Sequence, residues 1–231
     1  MQQKKQHIIC TRHQLDDAFL SQALQHNIEL HTQAFLKIKS KPVSFFKDAV
    51  ASNTFPLVFT SVHAVHAIIA LDATYPKILK NKACFCIEGN TQKHAQKDGY
   101  KILGSATDAA LLADVIINSG AEGVLHCTTA NRRKEMQEKL HAAHVKYTFC
   151  EVYNKTPLSK KVGYFDGVMF YSPSQVDAFK QANTLIENTP AFCIGKTTAK
   201  HLETLGHKNI VVAEQSDTTH ILQSVYQYFK Q

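Results

Sequence analysis

The sequence predicts an α/β fold with two similar domains, each a five-stranded parallel sheet flanked by helices. The first observation is a strict alternation of short apolar runs with amphipathic segments, which is typical of parallel sheets covered by helices. The second is an internal repeat, since residues 85–94 align without a gap with residues 192–201. The third is a second repeat upstream of the first, in which residues 59–67 match residues 170–178. In a chain of 231 residues, such a repeat favours two domains.

The alternation assigns the elements in chain order. The amino-terminal part predicts a strand, a helix and a strand at residues 7–12, 14–25 and 29–36. A basic segment ending in Pro42 then predicts a linker. The middle part predicts helix 45–52, strand 57–59, helix 62–71, strand 83–87, helix 91–97, strand 100–103, helix 108–118, strand 123–127, helix 131–143 and strand 146–152. After a second polar linker come strand 167–170, helix 174–184, strand 191–194, helix 197–205, strand 209–213 and helix 217–229.

The number of strands predicts how the chain divides. The last part supplies only three strands, so the two amino-terminal strands are needed to complete its sheet. The chain therefore leaves its first domain, builds the second and returns. This predicts domain 1 at residues 1–37 and 157–231, domain 2 at 42–152, and linkers at 38–41 and 153–156. Linkers that run side by side would form a two-stranded connection, with the strand-to-helix turns of both domains around one active-site cleft.

Composition restricts the function classes. The formal charge of +7 predicts an anionic partner, but Lys and Arg are scattered and no nucleic-acid-binding motif accompanies them, so we expect no nucleic acid. No apolar run is long enough to span a membrane, and no signal-peptide core is present, so we expect a cytoplasmic protein without a membrane partner. The six cysteines lie in or beside apolar runs, which indicates buried free thiols, and no metal-ligand constellation is found.

The repeated turns are the candidate binding sites. Each half carries a strand followed by Ser and a helix, and then a strand followed by Gly and a Thr-containing helix start. In an open α/β sheet these turns share the carboxyl edge, where helix N-termini bind anions. Their hydroxyls are either plain N-caps or ligand contacts, and the sequence leaves both open. The candidate residues are Ser61, Thr91, Ser172, Ser174, Gly195, Lys196, Thr197 and Thr198.

Gly195 and Lys196 also look like the end of a nucleotide-binding P-loop. That loop requires a glycine five residues earlier, where this chain has Pro190, and a strand occupies the intervening residues. Nucleotide hydrolysis and, in the absence of a Gly-x-Gly-x-x-Gly motif, a dinucleotide cofactor are therefore unsupported.

Two other residues are candidates for chemistry. Tyr153 follows an apolar strand at the proposed linker, and its phenol is either a proton donor or a packed linker side chain. Arg12, after Thr11, is available to a ligand carboxylate or to a surface Asp. No Ser-His-Asp order and no pair of catalytic carboxylates is recognisable, so an enzyme here would act by positioning and modest acid catalysis.

These residues carry a family resemblance. The segments 58–65, Val152-Tyr153, 166–174 and 193–199 with Leu205-Gly206, together with Thr11-Arg12, resemble uroporphyrinogen-III synthase over essentially the whole chain. The resemblance implies a cyclising hydro-lyase of tetrapyrrole (haem) biosynthesis, with no cofactor. Such an enzyme takes hydroxymethylbilane, a substrate with eight carboxylates, expels its terminal hydroxyl as water and closes the ring with the last pyrrole inverted, through a spiro intermediate. We expect a monomer.

The resemblance also implies site residues. Tyr153 matches the family tyrosine proposed to assist departure of the hydroxyl, and the turn residues match positions that bind acetate and propionate groups. Glu88 departs from the pattern, because it occupies a glycine position, so it should point outward. The alternative is a non-catalytic, hinge-bending binding protein for a small polyanion, with a nucleic-acid-binding module as a more distant possibility.

Overall fold

The computed structural model describes residues 4–79 and 83–230. The chain divides into two compact units. The described residues up to Lys37, together with those from Thr156 onward, form the first, which we call the split unit. The described residues of Ile38–Lys155 form the second, which we call the inserted unit. Each unit contains a five-stranded sheet in which neighbouring strands run parallel, which confirms the predicted fold class.

The split unit has the strand order β12-β11-β10-β1-β2, so the two amino-terminal strands complete a sheet begun by the last three. Its elements are β1 (Gln6–Cys10), α1 (Asp17–Gln25), β2 (Ile28–Thr32), β10 (Gly167–Phe170), α7 (Pro173–Lys180), β11 (Ala191–Cys193), α8 (Lys196–Thr204), β12 (Ile210–Val212) and α9 (Thr218–Phe229).

The inserted unit has the strand order β6-β5-β4-β7-β8. Its elements are α2 (Val43–Ala51), β4 (Leu57–Phe59), α3 (Val62–Thr74), β5 (Ala83–Ile87), α4 (Asn90–Lys97), β6 (Lys101–Ala106), α5 (Ala109–Asn118), β7 (Gly123–Thr128), α6 (Glu135–Ala142) and β8 (Lys146–Glu151).

Two further strands, β3 (Leu36–Ser40) and β9 (Tyr153–Pro157), pair with each other and form the connection between the units. The hydrogen bonds from Lys41 N to Val152 O and from Leu158 N to Phe35 O, at 2.9 and 2.8 Å, flank this antiparallel ribbon at its two ends. The prediction of one continuous strand over residues 29–36 was therefore wrong. The chain leaves the sheet after Thr32, residues 33–35 belong to no strand, and β3 begins at Leu36.

Both faces of each sheet are covered by helices, which explains why the inner strands β4, β10 and β11 are buried along their whole length. In β1, Ile8 and Cys10 pack towards α1 and α9, whereas Ile9 packs on the opposite face towards α7 and α8. In the inserted unit, Phe59 and Val58 likewise belong to cores on opposite faces of the sheet. Among the described residues, no helix combines the length and apolarity needed to span a membrane.

Candidate active site

Tyr153 lies in a small cluster of polar side chains in the inserted unit. It begins β9 and is only 2% exposed. Its ring centre lies 5.8 Å from the ring centre of His63, and the Nζ of Lys155 also lies 5.8 Å from it. Ser61 is close enough to the phenol to affect its ionisation. We call Ser61, His63, Tyr153 and Lys155 the tyrosine cluster.

The ionisation states of the tyrosine cluster favour a proton donor. Burial raises the pKa of Tyr153, and the Ser61 side chain lowers it by a smaller amount, so the phenol keeps its proton at neutral pH. Burial also lowers the pKa of Lys155, and the Arg133 guanidinium lowers it further. For His63, burial and then the Lys155 cation depress the pKa, which favours the neutral imidazole. A neutral phenol and a nearby amine are thus held in a partly desolvated environment.

The turn between β4 and α3 positions Ser61. Ser61 has an extended backbone and is the N-cap of α3, since its hydroxyl accepts a hydrogen bond from His63 N at 3.3 Å. The predicted capping role is confirmed. Because the cap fixes the first turn of α3, it also sets the direction in which the His63 ring leaves the helix.

A buried chain of hydrogen bonds holds the residue that precedes Ser61 in the same turn. Thr60, next to Ser61, is hydrogen-bonded to His126 Nε2 at 2.9 Å, and His126 Nδ1 is hydrogen-bonded to the Tyr147 hydroxyl at 2.7 Å. Arg132 Nε donates to the same hydroxyl at 3.2 Å. Because Arg132 Nε already donates to the Tyr147 oxygen, we assign the Tyr147 hydroxyl as the donor to His126 Nδ1. The neutral imidazole then carries its own proton on Nε2, directed at Thr60. Burial lowers the pKa of His126 to about 3, so this imidazole is neutral at pH 7.

In the split unit, Thr11 has a buried side chain that is used within the protein. Its hydroxyl lies 2.7 Å from Met169 O and 2.9 Å from Gln175 Oε1, and only 1% of the residue is exposed. The same Gln175 oxygen accepts a hydrogen bond from Tyr171 N at 2.8 Å. Thr11 and Gln175 therefore tie the end of β1 to the start of α7, and this places Thr11 behind the turn that follows β10.

Arg12, the next residue, is half-buried and reaches towards α9. Its Nη1 donates to the Thr218 hydroxyl at 2.9 Å, and its guanidinium carbon lies 4.2 Å from the centre of the Tyr171 ring. Within the part of the chain that the structure describes, no carboxylate forms an ion pair with Arg12. Of the two predicted partners, the surface Asp is therefore not found, and the remaining donors of Arg12 are available to a ligand carboxylate.

Ser172 and Ser174 lie at the start of α7. Ser172 is the N-cap, as predicted, because its hydroxyl accepts from Gln175 N at 3.3 Å. The hydroxyls of Ser172 and Ser174 are 3.1 Å apart, so one donates to the other. Pro173 occupies the first turn, where it costs no backbone hydrogen bond. The result is a short hydroxyl pair at a helix N-terminus.

The turn that follows β11 differs from the prediction. The N-cap of α8 is Gly195, not a hydroxyl residue, and no side chain caps this helix. Lys196 and Thr197 are exposed in its first turn, whereas Thr198 is buried, with 3% of its surface exposed. A Cβ on Gly195 would lie 3.0 Å from the Ser216 hydroxyl, so the glycine permits a close approach of two loops. The uncapped N–H groups and Lys196 make this an anion-binding geometry.

Thr91 is not an N-cap either. Gly89 is the N-cap of α4, with a φ of +78° that favours glycine, and no side-chain cap is present. Thr91 is the second residue of the helix and is buried. Glu88 is exposed, which confirms that this carboxylate does not enter the interior. In both halves, the glycine that we predicted to precede the helix start is itself the cap, and the hydroxyls two or three residues later lie in the first turn.

The tyrosine cluster was only partly anticipated. Sequence reasoning singled out Tyr153 and Ser61 but missed His63 and Lys155. Lys155 is two residues after Tyr153 on a strand and therefore lies on the same face, which is a signal that the sequence contains. His63 follows the capping Ser61 by two residues, but Tyr153 is near it because the strand order β4-β7-β8 places the end of β8 on the same sheet as the strand before Ser61. His126 was missed because the apolar run around it gives no sign of a buried imidazole.

All six cysteines are free and buried, as predicted. They are Cys10, Cys84, Cys86, Cys127, Cys150 and Cys193. None is part of the tyrosine cluster.

Solved structures support the fold assignment. The structure of uroporphyrinogen-III synthetase from Helicobacter pylori matches with a TM-score of 0.66 at 16% identity, over 96% of this chain and 99% of that chain. A mutant uroporphyrinogen III synthase from the extremely thermophilic bacterium Thermus thermophilus matches with a TM-score of 0.72 at 13% identity, over 97% of both chains. The wild-type Thermus enzyme in another crystal form gives 0.57 at 13% identity, over 97% of this chain and 98% of that chain. At these identities the likeness establishes the fold alone.

Sequence comparison is more specific. No curated protein matches the chain. The family model described as Uroporphyrinogen-III synthase HemD matches residues 24–223, which is most of the chain and includes parts of both units. The chain therefore belongs to the uroporphyrinogen-III synthase HemD family.

Proposed function

We propose that this protein is a uroporphyrinogen-III synthase. It removes the terminal hydroxyl of hydroxymethylbilane as water and closes the macrocycle with inversion of the last pyrrole. The observation that carries the proposal is the tyrosine cluster, in a chain that belongs to the HemD family. Tyr153 is a buried, protonated phenol with a cation 5.8 Å from its ring centre. It supplies the acid that a leaving hydroxyl needs, where bulk water is largely excluded.

The proton inventory of the reaction balances without an external co-reactant. Tyr153 donates its proton to the hydroxyl of the terminal hydroxymethyl group, the C–O bond breaks and water leaves. The resulting cation is attacked by the substituted carbon of the last pyrrole, which gives the spiro intermediate. Ring opening and reclosure at the other carbon invert that pyrrole, and the pyrrole loses a proton as aromaticity returns. That proton restores the phenol.

Positioning accounts for the rest of the catalysis. Hydroxymethylbilane loses water and closes without inversion on its own, so the enzyme must control which carbon meets the cation. The substrate has eight carboxylates, and several groups in this chain suit them. In the split unit these are the guanidinium of Arg12, the hydroxyl pair of Ser172 and Ser174, and the uncapped start of α8 beside Lys196. In the inserted unit, Lys155 offers a cation next to Tyr153.

The proposal is tested by adding the purified protein to freshly generated hydroxymethylbilane, oxidising the products and separating the uroporphyrin isomers. We expect predominantly isomer III. A Tyr153→Phe variant removes the acid, and because general acids contribute about 10² or more, we expect a decrease in kcat of about 100-fold. Tyr75→Phe is the matched control, since Tyr75 is partly exposed at the opposite end of α3 from Ser61 and His63.

Isomer I at the level of a protein-free control would contradict the synthase proposal. Tight binding of hydroxymethylbilane without turnover would then support the alternative, a binding protein for a small polyanion. Full activity of Tyr153→Phe, with isomer III still formed, would leave the synthase proposal standing but exclude Tyr153 as its acid.

A further inference from the structure

A group of potential metal ligands lies on two paired strands of the split unit. His7 on β1 and Glu29 and His31 on β2 present one ligand atom each, and these atoms all lie within 4.8 Å of one another. The parallel register places His7 opposite Glu29 and Ile9 opposite His31. Because side chains alternate along a strand, His7, Glu29 and His31 share one face of the sheet. All three are half-buried.

The spacing matches the coordination geometry of a small transition-metal ion. His7 Nδ1 is 3.1 Å from His31 Nε2 and 3.9 Å from the nearer Glu29 oxygen. Metal–ligand bonds of about 2.0–2.2 Å in a tetrahedron require ligand atoms about 3.3–3.6 Å apart. The two separations from His7 lie on either side of that value and the third is at most 4.8 Å, so rotations of the side chains bring the three atoms to a shared ion. The two imidazole rings are also nearly parallel, with an interplanar angle of 24°.

We propose that His7, Glu29 and His31 form a binding site for Zn²⁺ or a similar borderline transition-metal ion. Two imidazoles and one carboxylate are a ligand set that Zn²⁺ accepts with a fourth position left to water. Ca²⁺ and Mg²⁺ are disfavoured, because they require mainly oxygen ligands and this site offers one carboxylate. Without a metal, the two imidazoles share one N–H···N hydrogen bond.

The surrounding residues hold the ligands in place. The backbone N–H of His7 donates to Asp166 Oδ2 at 2.9 Å, which fixes the start of β1. The other Asp166 oxygen accepts from the Tyr164 hydroxyl at 2.6 Å. Among the described residues, the competitor for the carboxylate is Lys5, whose Nζ lies 3.3 Å from Glu29 Oε2. Lys5 is largely exposed, so it can turn into solvent when a metal takes the carboxylate.

The site is separate from the candidate active-site residues of the same strand. His7 lies near the amino-terminal end of β1, whereas Thr11 and Arg12 follow its carboxyl-terminal end. A bound ion would cross-link β2, the edge strand of the sheet, to β1. It would therefore stabilise the edge of the split unit, and this inference does not depend on the proposed enzymatic function.

The test uses the full-length protein, stripped of metal by a chelator, and Zn²⁺ alone as the probe. Isothermal titration with Zn²⁺ should show one equivalent bound to the wild type. Glu29→Gln and His31→Ala each remove a ligand, and we expect affinity to fall at least about tenfold, because even outer-shell changes cost about 10- to 100-fold. Glu29→Gln keeps the side-chain shape, so it remains informative if His31→Ala does not fold. His13→Ala, an exposed histidine outside the group, is the matched control and should bind like the wild type.

Two further measurements test which side chains bind the metal. Co²⁺ bound to nitrogen and oxygen ligands lacks the thiolate charge-transfer band that binding to cysteines would give. Lys5→Ala removes the competing cation and should tighten Zn²⁺ binding by about two- to fivefold, the scale of an exposed ion pair. Absence of a bound equivalent in the wild type would overturn the proposal. Equal binding by wild type, Glu29→Gln and His31→Ala would overturn it as well, since the metal would then lie elsewhere.

Discussion

The buried imidazole of His126 should make the inserted unit sensitive to acid. Its ordinary pKa is 6.5, and burial lowers it to about 3 in the folded protein, with the Arg132 cation as a lesser cause. Between these two values the unfolded chain binds a proton at this position and the folded chain does not. Stability is therefore fully present above about pH 6.5 and is lost as the pH falls towards about 3.

The size of the effect follows from the two pKa values. At about pH 4.5 the proton preference of the unfolded chain lowers the free energy of unfolding by about 3 kcal/mol, and the loss levels off at about 5 kcal/mol below pH 3. The value at about pH 4.5 changes little if the pKa of His126 in the folded protein is one unit higher, because the pKa in the unfolded chain determines most of it. His126→Gln keeps a donor and an acceptor but does not titrate. At neutral pH we expect it to cost about 1–3 kcal/mol, through less well matched bonds to Thr60 and Tyr147.

The assay is urea unfolding of the wild type and His126→Gln at about pH 7 and about pH 4.5, with His13→Gln as an exposed control. Carboxylates and other histidines titrate in both proteins, so the comparison isolates His126. We expect the stability advantage of the wild type to shrink by about 3 kcal/mol at the lower pH. An advantage that is the same at both pH values would refute the assignment of a neutral, buried imidazole in this position.

Three other substitutions test the candidate site and its supports. In a steady-state isomer assay, Lys155→Met should raise the KM for hydroxymethylbilane about tenfold, because one carboxylate contact is lost, whereas Lys155→Arg should retain most of the affinity. Equal KM values for the two variants would argue against this contact. Gly195→Ala places a Cβ 3.0 Å from the Ser216 hydroxyl, so it should lower thermal stability, and adding Ser216→Ala should restore it in a melting experiment; no rescue would mean that the crowding is not steric. Ser172→Ala removes the cap of α7 and should cost about 1 kcal/mol in urea unfolding, while a neutral result would show that solvent replaces the cap.

Much of the fold was accessible from the sequence because each strand of a helix-covered parallel sheet is a short apolar run. The division into two sheets followed from the repeat and from counting strands. The boundary between β2 and β3 was not accessible. Residues 28–36 contain no Gly or Pro, and Phe35 is fully buried although it lies outside both strands. Only the pairing of β3 with β9, which is distant in sequence, decides that the chain leaves the sheet at Gln33.

The candidate site shows the same limit at the level of side chains. Ser61 and Ser172 were predicted as caps because a hydroxyl directly precedes each helix. For Thr91, Thr197 and Thr198 the sequence left capping open, and the structure excludes it, since glycine is the N-cap of both helices and the hydroxyls lie in the first turn. Contacts made through strand pairing, such as His7 with His31, leave no local pattern in the sequence.

The order of strands in the split unit has a consequence for synthesis on the ribosome. β1 pairs with β10, and the hydrogen bond from His7 to Asp166 joins residues 159 positions apart. At a translation rate of about 5–20 residues per second, about 8–30 s pass between the synthesis of β1 and the synthesis of its partner β10. A two-stranded fragment is marginal in water, whereas the whole inserted unit is translated during that interval. The inserted unit should therefore fold first, and nascent chains stalled before β10 should expose an unpaired β1 edge that chaperones can bind.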